Sequence, residues 1–347
     1  MLVDSPPEPR AETAPAPPGR RAIRSAGLLA AVAVLVLVFV ASIAVGAKSM
    51  PMEQVWHGLF HDTGTYGDVV VGERLSRSVL GLLAGIALGL SGAVLQALTR
   101  NPLADPGLLG INLGASAAVV TAISFFGVTS LSGYVWFAFT GAALVGVLLY
   151  ALGGARGATP VRLALAGTAI SAALYGYLQA VMIMDGAALN KMRFWTVGSL
   201  ASANMHTIQQ VLPFLAVGTV LALGLARPLN ALAMGDDTAR ALGARLTRTR
   251  ALSMAAATLL CGAATAACGP IVFVGLMVPH IVRSFTGPDM RWILPYAAVL
   301  SPVLLLGADV VGRVVARPAE LQVGIVTAVI GAPVFVLLVR RRKVAQL

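Results

Sequence analysis

Charge is scarce in this 347-residue sequence: 11% of residues are Asp, Glu, Lys or Arg, with 14 acidic against 25 basic. Soluble domains carry about a quarter charged residues, so the shortage argues against one. Cysteine is almost absent. Cys261 and Cys268 would sit on one helix face with roughly 10 Å of rise between them, too far for a disulfide, and read as core residues. Lysine is rarer than arginine, and Lys48, Lys191 and Lys343 follow Ala47, Asn190 and Arg342. A phosphate-cradling loop ends in Gly-Lys-Ser/Thr, so none of these lysines marks an ATP-binding loop. Histidine is equally thin. His280, without a second ligand at useful spacing, reads as a hydrogen-bonding residue rather than a haem or metal ligand. Met182, Met184 and Met192 could touch haem, but methionines among apolar helices usually pack. No cofactor or metal site is expected.

What the chain has is apolar length. Hydrophobic residues make up 58% and mean hydropathy is +0.85. Uncharged runs cover 26–47, 79–99, 107–155, 163–184, 205–226, 251–282, 292–308 and 321–339. Each reaches or approaches the ~20 residues that span a bilayer, which indicates an all-α polytopic membrane protein. The run 107–155 has a polar Gly/Ser break at 129–133 and reads as two helices. The run 251–282, broken at Gly269-Pro270, is long for one crossing and short for two.

Charge asymmetry resolves the count, because Lys and Arg in short loops stay on the cytoplasmic side. Ten crossings with both termini inside leave 18 of the 25 Lys and Arg in the cytoplasm; nine would leave 14. Ten transmembrane helices are therefore expected. The net charge of +11 becomes a topology signal with an anionic-lipid contribution, not a nucleic-acid footprint. Residues 1–25, with six prolines, read as a disordered cytoplasmic tail before a ten-helix transmembrane domain at 26–343. The first apolar run exceeds a signal-peptide core and reads as an uncleaved helix.

Three connections stand out. Residues 101–107 hold Asn101-Pro102 and Asp105-Pro106, and their helix-breaking backbone has to sit at an interface or line a cavity. The segment is either an ordinary tight loop or a constriction with Asn101 and Leu103 facing the path. In 227–250, Gly235 and Gly243 punctuate two short amphipathic helices, with Asp236 or Asp237 capping the second; such helices suit a soluble partner but also occur without one. In 185–205, a segment too short to span is expected to lie along the outer surface with Trp195 at headgroup level. Topology also puts Arg74, Arg77 and Arg313 outside, as an outward cationic cluster for an acidic partner. Asp309, four residues before Arg313, offers an internal alternative.

The strings RLSRSVLGLLAGIALGLSGAVLQALTRNPLADPGLLG, MGDDTARALGA and GPIVFVGLMVPHIVRSFTGPDMRW, with ADVVGR and RPAELQVGIVTAVIGAP beyond them, resemble the permease subunit of type II ABC importers, which carry ferric siderophores, haem or cobalamin. The resemblance extends from about Met50 to the C-terminus. It implies a ten-helix subunit of a bacterial cytoplasmic membrane, paired with a second permease, two cytoplasmic ATPases and an extracytoplasmic binding protein. It further implies that Arg74, Arg77 and Arg313 meet carboxylates of the binding protein, and that Met234, Gly235, Asp236, Asp237, Arg240, Leu242 and Gly243, within about 229–246, couple to the ATPase. RFWTVGSLA resembles the siderophore branch more than the cobalamin branch, which points to a ferric siderophore over haem or cobalamin. The chain departs from the family pattern at Gln322 and in the string GINLGA. An ion-coupled secondary transporter would need ionisable residues at mid-membrane, and these helices are nearly free of them. An intramembrane enzyme would need a paired catalytic constellation, and none is evident.

Overall fold

A computed structural model describes residues 19–341 apart from 48–49, 61–63, 108, 129 and 154–159. Most of the expected N-terminal tail lies outside the described residues, but residues 19–25 do not belong to it: α1 (Gly19–Ala44) begins at Gly19 rather than Ala26. The described residues form helices and no strands. After α1 come α2 (Met52–Phe60), α3 (Tyr66–Thr99), α4 (Ile111–Phe126), α5 (Leu131–Gly153), α6 (Pro160–Met184), α7 (Gly186–Trp195) and α8 (Met205–Gly224). The chain continues with α9 (Ala226–Ala233), α10 (Asp236–Ala241), α11 (Leu246–Cys268), α12 (Val274–Thr286), α13 (Met290–Val315) and α14 (Val323–Arg341).

Seven helices (α1, α3, α5, α6, α8, α11 and α13) contain a stretch long and apolar enough to cross a membrane, and shorter apolar helices cover Ile111–Phe126 and Val323–Leu337. The 107–155 run is two helices, α4 and α5, as its polar break implied. The 251–282 run also divides, at Gly269 with φ +74 and Pro270, into α11 and the 13-residue α12. At 1.5 Å per residue α12 is about 20 Å long, short of the ~30 Å hydrocarbon core.

The organising element is α3, which packs against α13, α11, α12, α1 and α8. Its 34 residues give a rod of about 50 Å, longer than a bilayer core, so one end has to project. That end is nucleated by a capping box: Asp68 N donates to Thr65 Oγ1 and Thr65 N to Asp68 Oδ2, at 3.4 and 3.1 Å. The helix therefore starts well before the uncharged run at 79, and its first four turns carry Asp68, Glu73, Arg74 and Arg77. Further along, close approach replaces large side chains. A Cβ at Gly85 would strike the Pro302 backbone of α13, and one at Gly92 the Gly275 carbonyl of α12. Small residues let helix backbones meet where lipid offers no hydrophobic driving force between them.

The α7–α8 connection packs inward, with Trp195 partly buried against the core and its indole nitrogen enclosed. The connection folds onto the α11–α12 break, where Ser199 N donates to Cys268 O at 2.8 Å and the Trp195 carbonyl abuts Gly269. Met182 and Met192 are buried, whereas Met184 is exposed. Cys261 and Cys268 are free and buried in α11.

Candidate functional site

The arginines singled out from sequence do come together, at the projecting end of α3, but not as an outward cluster. Arg74 and Arg313 are only 6% and 1% exposed, and Arg77 is nearly as enclosed. The Asp309 carboxylate, fully buried, serves two of them: Arg77 Nη2 reaches Oδ1 at 2.8 Å, and Arg313 Nη2 reaches Oδ2 at 3.0 Å. Arg77 also donates to Glu320 at 2.6 Å. The remaining donors close the end of α1. Arg74 Nη1 donates to the Ile43 and Ala44 carbonyls, Arg313 to Ser42 O and Oγ, and Arg317 to Gly46 O. A helix C-terminus presents four unpaired carbonyls and partial negative charge, so guanidiniums there satisfy both. The charge tally could assign these arginines to one side of a membrane; it carried no information about α1 needing donors. Around them lies a cavity of about 260 Å³ lined by Arg74, Arg77, Arg313, Glu73, Tyr66 and Glu320 among others.

At the opposite end of α3, Arg100 takes the left-handed conformation (φ +49) and the chain enters the 101–107 loop. Each residue before a proline there makes its own turn: Asn101 Oδ1 accepts from Leu103 N at 3.0 Å, and Asp105 Oδ1 from Gly107 N at 2.8 Å. Asn101 and Leu103 both line a cavity of about 490 Å³ closed by Thr168 and Ser171 of α6. Beside the loop, buried Asn112 of α4 accepts from Thr265 Oγ1 at 2.9 Å and Cys261 Sγ at 3.0 Å on α11. Asn112 falls in the GINLGA string, whose departure from the family pattern was the only sequence signal for it.

The two short helices expected in 227–250 are α9 and α10, but neither aspartate caps the second. Gly235 (φ +105) is the N-cap, and no side chain bonds the cap. Asp236 instead bridges two other elements, accepting from Arg100 Nη2 at 2.5 Å and Arg250 Nη2 at 2.6 Å. Its partial burial disfavours ionisation, but the bonds from Arg250 and Arg100 outweigh this and hold the carboxyl below its usual range. A second anchor fixes α9 to the start of α13: Asn230 donates to Asp289 Oδ1 at 2.7 Å and accepts from Met290 N at 2.8 Å. Hydrogen bonding from Arg291 brings the Asp289 pKa down to about 2. What these anchors leave outward is a mixed patch, with Met234 and Leu242 each 63% exposed and Asp237 paired to Arg240 in solvent. The links from Asp236 to Arg100 and Arg250, and from Asp289 to Asn230, had no distance signal in the sequence, since those partners lie on other helices.

No cluster of three His, Cys, Asp or Glu suited to a metal ion occurs among the described residues. Among the described residues the geometry offers two ends of a helical bundle, one lined with arginine and one capped by short helices.

Comparison with known proteins accounts for that arrangement. The model of the FecCD transport family matches residues 34–341. The ferric enterobactin transport system permease protein FepD of Escherichia coli (strain K12) is 46% identical over 327 residues, 93% of this chain and 96% of the relative. The iron(3+)-hydroxamate import system permease protein FhuB of Bacillus subtilis (strain 168) is 38% identical, with 91% and 83% covered. The hemin transport system permease protein HmuU of Yersinia pestis is 36% identical, with 89% and 93% covered. A solved structure described as an inward-facing conformation of a metal-chelate type ABC transporter superposes with a TM-score of 0.80 at 28% identity, covering 91% of this chain and 99% of that one. The match along nearly the whole chain, in sequence and in fold, makes this multi-pass membrane protein a transport permease belonging to the FecCD transport family.

Proposed function

We propose that the chain is the membrane-spanning subunit of an importer that carries a ferric siderophore across a bacterial cytoplasmic membrane. The observation that carries this reading is the 46% identity to a ferric enterobactin permease over nearly the full length of both chains. A hemin permease at 36% identity supports haem as the second reading. Iron uptake from a ferric siderophore, competed by excess unlabelled siderophore but not by haem, would uphold the first; the reverse competition would replace it with the second.

In this reading the chain crosses ten times with both termini cytoplasmic, α12 serving as a short crossing, and pairs with a second permease, identical or paralogous. Hydrolysis is done by two cytoplasmic ATPases and specificity is supplied by an extracytoplasmic binding protein. Met234, Gly235, Asp237, Arg240, Leu242 and Gly243 form the ATPase contact, with Asp236 holding it to α3 and α11. Asn101 and Leu103 gate the inner mouth, supported by the cavity they line. A cysteine at Leu103 is then expected to label at different rates in nucleotide-free and ATP-trapped complexes. The native thiols are buried and contribute little background. Equal rates in both states would make the loop purely structural.

Arg74, Arg77 and Arg313 dock the binding protein through the cavity they line rather than as free surface charges. Charge reversal there would also break the Asp309 network, so the better probe is a neighbour. Ala201 is exposed and lines the same cavity. A cysteine at Ala201 is expected to cross-link to cysteines placed beside acidic residues of the loaded binding protein. Failure at every such position, with transport intact, would move the docking site elsewhere.

A further inference from the structure

The chain carries one basic groove that neither the arginine network of α3 nor the short helices' ion pairs use. It lies where α8 ends, α9 begins and α11 starts, and encloses about 570 Å³. Arg227, Arg245 and Arg248 line it, and no Asp or Glu does. No side-chain hydrogen bond or ion pair of these three arginines occurs among the described residues. Their neighbours differ: Arg100 and Arg250 share Asp236, Arg240 holds Asp237 and Arg291 holds Asp289. Three guanidiniums around one cavity repel each other unless an anion joins them.

The rest of the lining indicates what kind of anion. Val220 and Leu221 of α8 and Leu252 of α11 form an apolar wall that continues from the arginines along two helices long and apolar enough to cross a membrane. Val220 is 71% exposed and the adjacent Leu223 43%, so the wall opens outward at the level where both helices leave the apolar layer. A soluble protein could reach the arginines but would not extend along that wall, whereas a lipid does both. We propose that this groove binds an anionic phospholipid, with its phosphate on Arg227, Arg245 and Arg248 and an acyl chain along Val220, Leu221 and Leu252. Basic pockets between membrane helices at headgroup depth suit that chemistry. Arginine's planar fork also matches phosphate oxygens bidentately. The inference does not depend on which substrate the chain transports.

The test is the lipid preference of the full-length protein in proteoliposomes, read from spin-labelled phosphatidylglycerol against spin-labelled phosphatidylcholine. At about fivefold per arginine near an anionic headgroup, the wild type is expected to prefer phosphatidylglycerol by at least about tenfold. Arg227→Gln, Arg245→Gln and Arg248→Gln together should bring the preference close to one, and the corresponding Arg→Lys triple should keep most of it. Should the Gln triple fail to fold, the wild-type preference should still fall with rising ionic strength and resist millimolar inorganic phosphate. An unchanged preference in the Gln triple, or in high salt, would overturn the proposal. So would a Gln triple that keeps its lipid preference but no longer co-purifies with an ATPase, which would make the groove a protein contact.

Discussion

Asp309→Ala is expected to eliminate most folded protein. The carboxylate is fully buried and accepts from both Arg77 and Arg313, so its loss strands two enclosed guanidiniums beside each other. Removing one partner of a buried ion pair costs about 3–5 kcal/mol, and total stabilities are commonly only ~5–15 kcal/mol. The measurable result is a collapse in the yield of monodisperse protein, or a large fall in thermal midpoint where any survives. Asp309→Asn should lie between, because it keeps an acceptor and loses the charge. Arg313 would still hold Ser42 in that variant, and so keep α1 tied to α13. A wild-type midpoint for Asp309→Ala would mean that Arg77 is satisfied mainly by Glu320 and Arg313 mainly by Ser42.

The second large effect is on transport with the fold left intact. Asp237 and Arg240 pair with each other in solvent, with side chains 98% and 62% exposed. An exposed pair contributes less than about 1 kcal/mol to stability, so replacing both with alanine should leave the thermal midpoint unchanged. If the patch receives the ATPase, the same variant should lose most uptake, by roughly tenfold or more, together with stimulation of ATP hydrolysis. Asp236→Ala makes the contrast. It frees Arg100 and Arg250 and unfastens α10 from α3 and α11, so both stability and uptake should fall. Normal uptake by the Asp237/Arg240 double variant would remove the patch from the coupling path.

Much of the architecture was legible because membrane helices announce themselves by composition. The break at Gly269-Pro270 was readable from two residues, and the division of 107–155 from a short polar stretch. The start of α3 was legible in principle, since Thr65 and Asp68 have capping-box spacing. A search for uncharged runs passes over it, because the projecting turns carry charge. The exposure of the arginines could not be read. Burial at an end of the bundle depends on α1 and α13 arriving together, with Ser42 and Arg313 separated by 271 positions. The second cap failed for a local reason: Gly235 takes a positive φ that lets the chain turn into α10 unaided, leaving Asp236 free to bond elsewhere. The turns of the 101–107 loop were legible, because an Asn or Asp before Pro at a helix end already specifies a turn and a backbone that needs an interface or a cavity.

The central claim, that this permease moves a ferric siderophore only when a separate ATPase drives it, has a direct measurement. Proteoliposomes are made with the permease, its co-purifying ATPase and the loaded binding protein, and accumulation of radiolabelled iron is followed with ATP on the ATPase side. Accumulation is expected only when all three proteins and hydrolysable ATP are present, and is expected to be unaffected by dissipating ion gradients. Accumulation that persists without the ATPase and collapses with an ion gradient would contradict the account and make the chain a self-powered transporter.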